Sequence, residues 1–468
     1  MKINLRLYIT LLLICVSCKK FIDVPPPITD LVGETVYSSD ATAAAAVTGI
    51  FQTMGNNSIG GGQSGLSTLL ALSSDEFSLY PTLNTILSQT YKNELTSNNT
   101  PTLWPDLYNS IYQTNAAITG LERSTGIQSD LKYQLLGEAR LSRAFCYFYL
   151  VNVYGDIPLV LSTNYQTNSS LIREKASKVY EHITNDLLEA SKLLSDEYKT
   201  PTGETTTERV RPNKMTAFAL LSRIYLYQMR WDSAVFYSSK IIEDNRYQLE
   251  QDLNNVFLGT STEAIWQLQP PNTGVNTPDG SLLLGYLYSG GPTMSDPITL
   301  SNTLIDIFDE SDKRRKDWIA SIIENAKTYY FPFKYKLYYT GQPPVEYVVL
   351  LRLAEQYLIR SEAYANLSQL DNSLADLNVI RRRSGIKELD LIPKDRLLIE
   401  IMNERQRELF GEYGHRWFDL KRNNKINQVM KEQEKQKEST WNSGDELYPI
   451  PITDILANPK MTQNPGYN

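Results

Sequence analysis

A charged constellation stands out in the stretch from Glu404 to Asp419: Glu404, Arg405, Arg407, Glu408, His415, Arg416 and Asp419. Two carboxyls four residues apart share one face of a helix, the placement a general acid and base would need. The arginines beside them argue the other way. A guanidinium next to a carboxyl holds it ionised, so it has no proton to give. We read the group as a structural ion-pair cluster, with His415 as a hydrogen-bonding scaffold residue. No glycine-rich phosphate loop, nucleophile elbow or metal-ligand spacing occurs elsewhere, so neither a cofactor nor a metal is expected.

The aromatic inventory points to recognition. Thirty tyrosines and six tryptophans stand against two histidines. That balance suits stacking and hydrogen bonding to a ligand better than metal chemistry. Trp104, Trp231 and Trp417 fall in helical apolar patterns or at a hairpin turn and are read as core.

The N-terminus carries a different chemistry. Lys2 and Arg6 precede an apolar run from Leu7 to Val16, broken only by Thr10. Ten helical residues reach about 15 Å, half of the ~30 Å a bilayer core requires. The pattern is a secretory leader. Cleavage after Ser17 leaves Cys18 as the first mature residue, and Cys15 departs with residues 1–17. This resembles the lipobox of bacterial lipoproteins, in which that cysteine is acylated. Loss of Lys2 and Arg6 from the 46 basic side chains leaves 44 against 53 acidic, a mature net charge of −9. Such a surface argues against nucleic acid as partner. Cys146 remains as a lone thiol, which excludes internal disulfides.

Several elements must position these groups. Residues 18–35 are proline-rich and read as a tether. A helix is expected from Asp40, capped by Ser39 or Asp40, and residues 55–65 (GNNSIGGGQSG) read as a flexible loop. In EARLSRAFCYFYLVNVYGDIPLVL, Leu141, Phe145, Phe148, Val151 and Tyr154 form an apolar helical face that Gly155 ends. Arg140 and Arg143 lie on the neighbouring face. Two segments match at a separation of 139 residues: Ser222, Tyr225 and Asp232 against Ser361, Tyr364 and Asp371. Each predicts a helix, a short turn and a second helix capped by the aspartate, with Ala234 or Ala375 allowing close packing. They resemble tetratricopeptide repeats in an interrupted array. Residues 258–346 lose helical periodicity and gather glycine, proline and aromatic residues, the character of a binding insertion. The tail from Tyr448 is expected to run extended over the body.

Six blocks in order carry a wider resemblance: CKKFIDVP at 18–25, EARLSRAFCYFYLVNVYGDIPL at 138–159, LRLAEQYLIRSEAYANL at 351–367, NVIRRRSGI at 378–386, NERQRELFGEYGHRWFDLKR at 403–422, and the closing YPIP…NPKMTQNPGY. On these the chain resembles the SusD/RagB family of outer-membrane nutrient-binding lipoproteins of Bacteroidetes. The resemblance implies a mainly α-helical fold, with tetratricopeptide-like helix pairs forming a right-handed scaffold and a loop-rich insertion carrying the ligand face. Its expected units are 1–17, 18–35, an N-terminal helical region 36–257, and a C-terminal region 258–468 that contains the insertion. It also implies a SusC-like TonB-dependent transporter as partner, outer-membrane lipid through acylated Cys18, and a glycan or peptide ligand. By analogy with the founding starch-binding member, Tyr80 with Asp75 or Asn84, and Tyr286 with Tyr288, would form the ligand site. That member's tryptophans are not reproduced here. A glycoside hydrolase and a protein-only helical adaptor are the competing classes.

Overall fold

A computed structural model describes residues 33–467, so the leader, Cys18 and most of the tether lie outside the described residues. The fold is mainly helical, with few and short strands.

Helix α1 (Asp40–Asn56) starts at Ser39, whose hydroxyl accepts the Thr42 amide. Asp40 instead accepts the Gln128 amide at 2.9 Å, tying the helix start to a distant loop. The glycine-rich segment that follows is packed, contrary to the sequence expectation. Gly60 and Gly65 are buried against backbone, where any Cβ would overlap Gly55 and Gly61. Gly62 donates its N–H to Asp279 at 2.6 Å. Here glycine serves close backbone approach, and flexibility is not its role. Helix α2 (Leu66–Ser73) is buried on every side, and strand β1 (Phe77–Leu79) and helix α3 (Thr85–Lys92) follow.

The scaffold is a succession of helices: α4 (Leu103–Arg123), α5 (Ser129–Tyr154), α6 (Ala176–Leu193), α7 (Lys214–Tyr227) and α8 (Trp231–Ile242). Each packs on the next. Helix α5 ends at Gly155, which has φ 73°. It is buried nearly all round, Arg143 included, while Arg140 is half-buried. Arg143 forks onto Asp186 of α6 at 2.8 and 2.7 Å, and Arg140 reaches both Asp186 and Glu122.

The chain then leaves the scaffold. Strand β2 (Ala264–Leu268), β3 (Ile298–Leu300), β4 (Ile319–Glu324), β5 (Lys327–Pro332) and β6 (Val348–Arg352) belong to this excursion. Its two ends are zipped together. β2 and β6 pair antiparallel from Leu268–Val348 to Ala264–Arg352, and both strands are buried throughout. The scaffold resumes with α9 (Leu353–Asn366), α10 (Leu370–Arg383) and α11 (Lys394–Leu409), followed by α12 (His415–Arg422) and α13 (Ile426–Lys437). Helix α9 packs on α8, so an array interrupted in sequence is continuous in space.

The two matching hairpins share one turn. Met229 and Ser368 both adopt left-handed backbone, with φ 57° and 62°. In each, a backbone bond closes the turn, Arg230 N–H to Tyr225 O at 2.8 Å and Gln369 N–H to Tyr364 O at 2.9 Å. Because the backbone closes the turn, the aspartates are not caps as expected. Asp232 and Asp371 sit in the first turn of the second helix, where their charge meets the positive end of its dipole. The small residue paired with Ala234 is Ser373, not the exposed Ala375. Ser373 and Ser361 each donate a hydroxyl to the other's carbonyl, at 2.7 and 2.8 Å.

The C-terminal tail is extended apart from a short helix, Ile452–Ala457. Asn464 secures it by donating to the Tyr154 and Tyr448 carbonyls at 2.9 and 2.8 Å. Trp104 and Trp417 are core residues as expected, while Trp231 is half-buried. Among the described residues no helix is long and apolar enough to cross a membrane.

Candidate functional site

The charged cluster on α11 is wholly interior. Glu408 accepts from Arg352 and Arg383 at 2.6 and 2.5 Å through one oxygen, and from Arg314 at 2.9 Å through the other. Glu404 meets Arg314, Arg407 and Arg381 at 2.7, 2.8 and 3.1 Å. Arg405 bonds Asp419 at 2.7 Å. Burial alone would raise both glutamates. The surrounding arginines override it, holding Glu408 well below the usual carboxylate range and Glu404 below it. His415 goes the same way for a different reason. Burial first, then Arg223 and Arg405, push its imidazole well below 6.5, so it stays neutral. Held ionised or held neutral, these groups are poor proton carriers. Four of the partners (Glu263, Asp312, Arg314 and Arg352) come from residues 243–352, a long-range pairing that local spacing could not show.

The aromatic candidates lie on a different face, built from three separate segments. Strand β1 pairs with β3, Phe77 opposite Leu300 and Leu79 opposite Ile298. The ladder continues as Tyr80 N–H donates to Pro297 O at 2.8 Å, and Thr82 donates to Met294 O at 2.8 Å. This fixes the 80–84 loop against the 286–297 loop. The hairpin β4–β5 completes the face. Tyr329 meets Tyr80 edge-on, with centroids 6.1 Å apart at 71°. Tyr286 packs on Phe331 and Phe333 at 5.7 and 6.3 Å. Tyr286 and Tyr329 both lie against a small apolar cluster of Leu283, Ala320 and Phe331. Tyr288 follows in the same helical turn, Gly285–Ser289, and is 75 % exposed.

The structure thus gathers Tyr80, Tyr286 and Tyr288 around one hairpin and adds Tyr329, which sequence reasoning did not single out. The available signal was the run Thr328-Tyr-Tyr-Phe-Pro-Phe, whose strand alternation sends neighbouring rings to opposite faces. The polar candidates fare differently. Asp75 is buried and forks onto Arg416 at 2.8 and 2.7 Å, which occupies its carboxylate. Asn84 is exposed and caps α3 by accepting the Leu87 amide at 3.2 Å, and its NH2 group has no hydrogen bond among the described residues. Tyrosine hydroxyls separate structural from presenting roles. Those of Tyr147, Tyr413 and Tyr448 are buried and hydrogen-bonded. Tyr80, Tyr286, Tyr288 and Tyr329 sit at the surface, and their hydroxyls have no partner among the described residues.

Glu76, the residue before β1, is buried, with one oxygen accepting the Gly411 amide at 3.2 Å and the other unpartnered. Burial, then the charge of Asp75, pushes it up to about 8. The native state therefore holds this proton more tightly than the unfolded chain does between pH ~4.5 and ~8. Stability must fall as pH rises through that window, by up to about 1.4 kcal/mol per pH unit. Glu76→Gln should flatten this component in urea unfolding compared at pH 5.5 and 7.5. An unchanged difference between the two pH values would contradict it.

Comparison with known proteins agrees with this architecture. A family model described as "Starch-binding associating with outer membrane" matches residues 20–226, and the SusD family model matches residues 319–467. The chain is similar to SusD-like protein P25 of Formosa agariphila, 23 % identical over 99 % of this chain and 98 % of that one. It is also similar to the starch-binding protein SusD of Bacteroides thetaiotaomicron, 24 % identical over 74 % of this chain and 75 % of that one. Among solved structures, surface glycan-binding protein A from Bacteroides thetaiotaomicron in complex with laminarihexaose superposes with a TM-score of 0.76. It is 18 % identical, with 91 % of this chain and 99 % of that chain covered. Two family models in chain order and full-length likeness to its members place the chain in the SusD family.

Proposed function

We propose that this chain is a non-catalytic surface lipoprotein that binds an oligosaccharide and delivers it to a SusC-like TonB-dependent transporter in the outer membrane. One observation carries the binding half: tyrosines from three separate segments converge on one face with their rings at the surface and their hydroxyls unpartnered. Flat rings cover the C–H faces of a sugar, and free hydroxyls with the Asn84 amide meet its O–H groups. The helical scaffold holds the loops in place before the ligand arrives, which lowers the entropy lost on binding. The family's glycan-binding members support the ligand class. A panel of oligosaccharides and peptides titrated against the full chain tests it. Saturable binding of an oligosaccharide without turnover is expected, while turnover, or binding of peptides alone, would contradict the reading.

The anchor follows from Cys18. With two or three acyl chains at about 0.8 kcal/mol per buried methylene, membrane attachment is effectively permanent. Cys18→Ala should move the protein from the membrane fraction to the soluble fraction. Unchanged fractionation would contradict lipid anchoring.

A further inference from the structure

Lysine and arginine make up 46 of the 468 residues, yet none occurs from residue 21 to 91 or from 247 to 312. These two stretches supply Tyr80, Asn84, Tyr286 and Tyr288. Acidic groups are kept there and beside them. Asp296 immediately precedes Pro297, whose carbonyl holds the Tyr80 amide, and it accepts from Gln63 at 3.3 Å. Glu324, half-buried at the end of β4, reaches the loop that carries Tyr288. A Cβ on Gly291 would lie 2.5 Å from its carboxylate oxygen. On the hairpin itself the only cation is Lys327, and its ammonium lies 4.7 Å from the Tyr329 ring centroid. The arginines of the C-terminal half give no help, because Arg314, Arg352, Arg383 and Arg405 are buried in internal ion pairs.

A uronate or sulfate ester gives up hydration on docking and needs cations in return, arginine forks above all. At this face it would meet the carboxylates of Asp296 and Glu324 with the single hairpin ammonium of Lys327 to offset them, at a net like-charge cost. Hydroxyl groups need no counter-charge. We infer that this face takes an uncharged oligosaccharide and that Asp296 and Glu324 turn polyanionic glycans away. The inference rests on the glycan-binding reading above and narrows it by charge.

The test uses the full chain in a detergent without sugar headgroups. Neutral gluco-, manno- and xylo-oligosaccharides are titrated beside oligogalacturonate, oligo-alginate and sulfated galactan fragments, at 20 and 300 mM NaCl. At least one neutral oligosaccharide should bind, with less than a twofold change in Kd across salt, since no ion pair is being screened. The anionic set should bind at least tenfold more weakly. Glu324→Lys should raise anionic binding at 20 mM NaCl at least threefold relative to neutral binding. An anionic fragment that binds more tightly than every neutral one, and weakens with salt, overturns the charge inference while leaving the glycan reading intact. Silence from both sets overturns the glycan reading and this inference with it. Unchanged anionic binding in Glu324→Lys removes Glu324 from the ligand-facing rim.

Discussion

Glu408→Gln is expected to destabilise the protein by about 3–5 kcal/mol, the range for breaking a buried ion pair by deleting one partner. Three guanidinium groups, from Arg314, Arg352 and Arg383, converge on this one carboxylate, and none of the four side chains is more than 2 % exposed. Glutamine keeps the shape but removes the charge, and its NH2 group would face an arginine. The stranded guanidinium groups retain only Asp312, Glu404, Glu263 and Glu412 as counter-charges. The effect should reach the ligand face. Arg314 and Arg352 lie on the excursion that carries Tyr286 and Tyr329, while Glu408 lies on α11, so the cluster fastens the excursion to the scaffold. Urea unfolding is the measurement, with exposed Glu432→Gln as the control, expected to shift by no more than about 0.5 kcal/mol. Equal midpoints for the two variants would show that the arginines find water or other acids at no cost.

The parts legible in the sequence were those with local periodicity. The Gly155 stop, the hairpin turns 139 residues apart and the loss of helical pattern after 258 each follow from rules that act within a few residues. Misreadings arose where a local signal had a distant partner. Residues 55–65 have the composition of a mobile loop, but their glycines are there so that backbone can pack on backbone and Gly62 can reach Asp279. Asp232 and Asp371 look like caps, yet the left-handed turn residue has already let the backbone close the turn. Asp75 looks like a ligand group by its place in the loop, and only the fold brings Arg416 to it. Tyr329 is one of many aromatic residues in the insertion, and only its contact with Tyr80, some 250 residues away in the chain, sets it apart. Charge pairing and ring contact across such distances leave no periodic trace.

The second large effect concerns the ligand face. Tyr288 is 75 % exposed, and Tyr80 lies in a surface loop, so removing either ring should barely change stability. Their loss should nonetheless be severe for binding, because aromatic anchors at the centre of an interface each contribute about 2 kcal/mol or more, a factor of roughly 30 in Kd. The two rings differ in what their loss means. Tyr288→Ala deletes a presenting surface alone. Tyr80→Ala also frees Tyr329 from its edge-on contact, so it should weaken binding and loosen the hairpin together. Calorimetric titration of the best oligosaccharide from the neutral panel into wild type, Tyr288→Ala and the Tyr80→Ala/Tyr288→Ala pair decides whether the ligand sits on this face. Kd should rise about 30-fold in the single variant and heat should be lost altogether in the double variant, with unfolding free energies unchanged within about 1 kcal/mol. Wild-type affinity in the double variant would contradict it and move the ligand site away from this face.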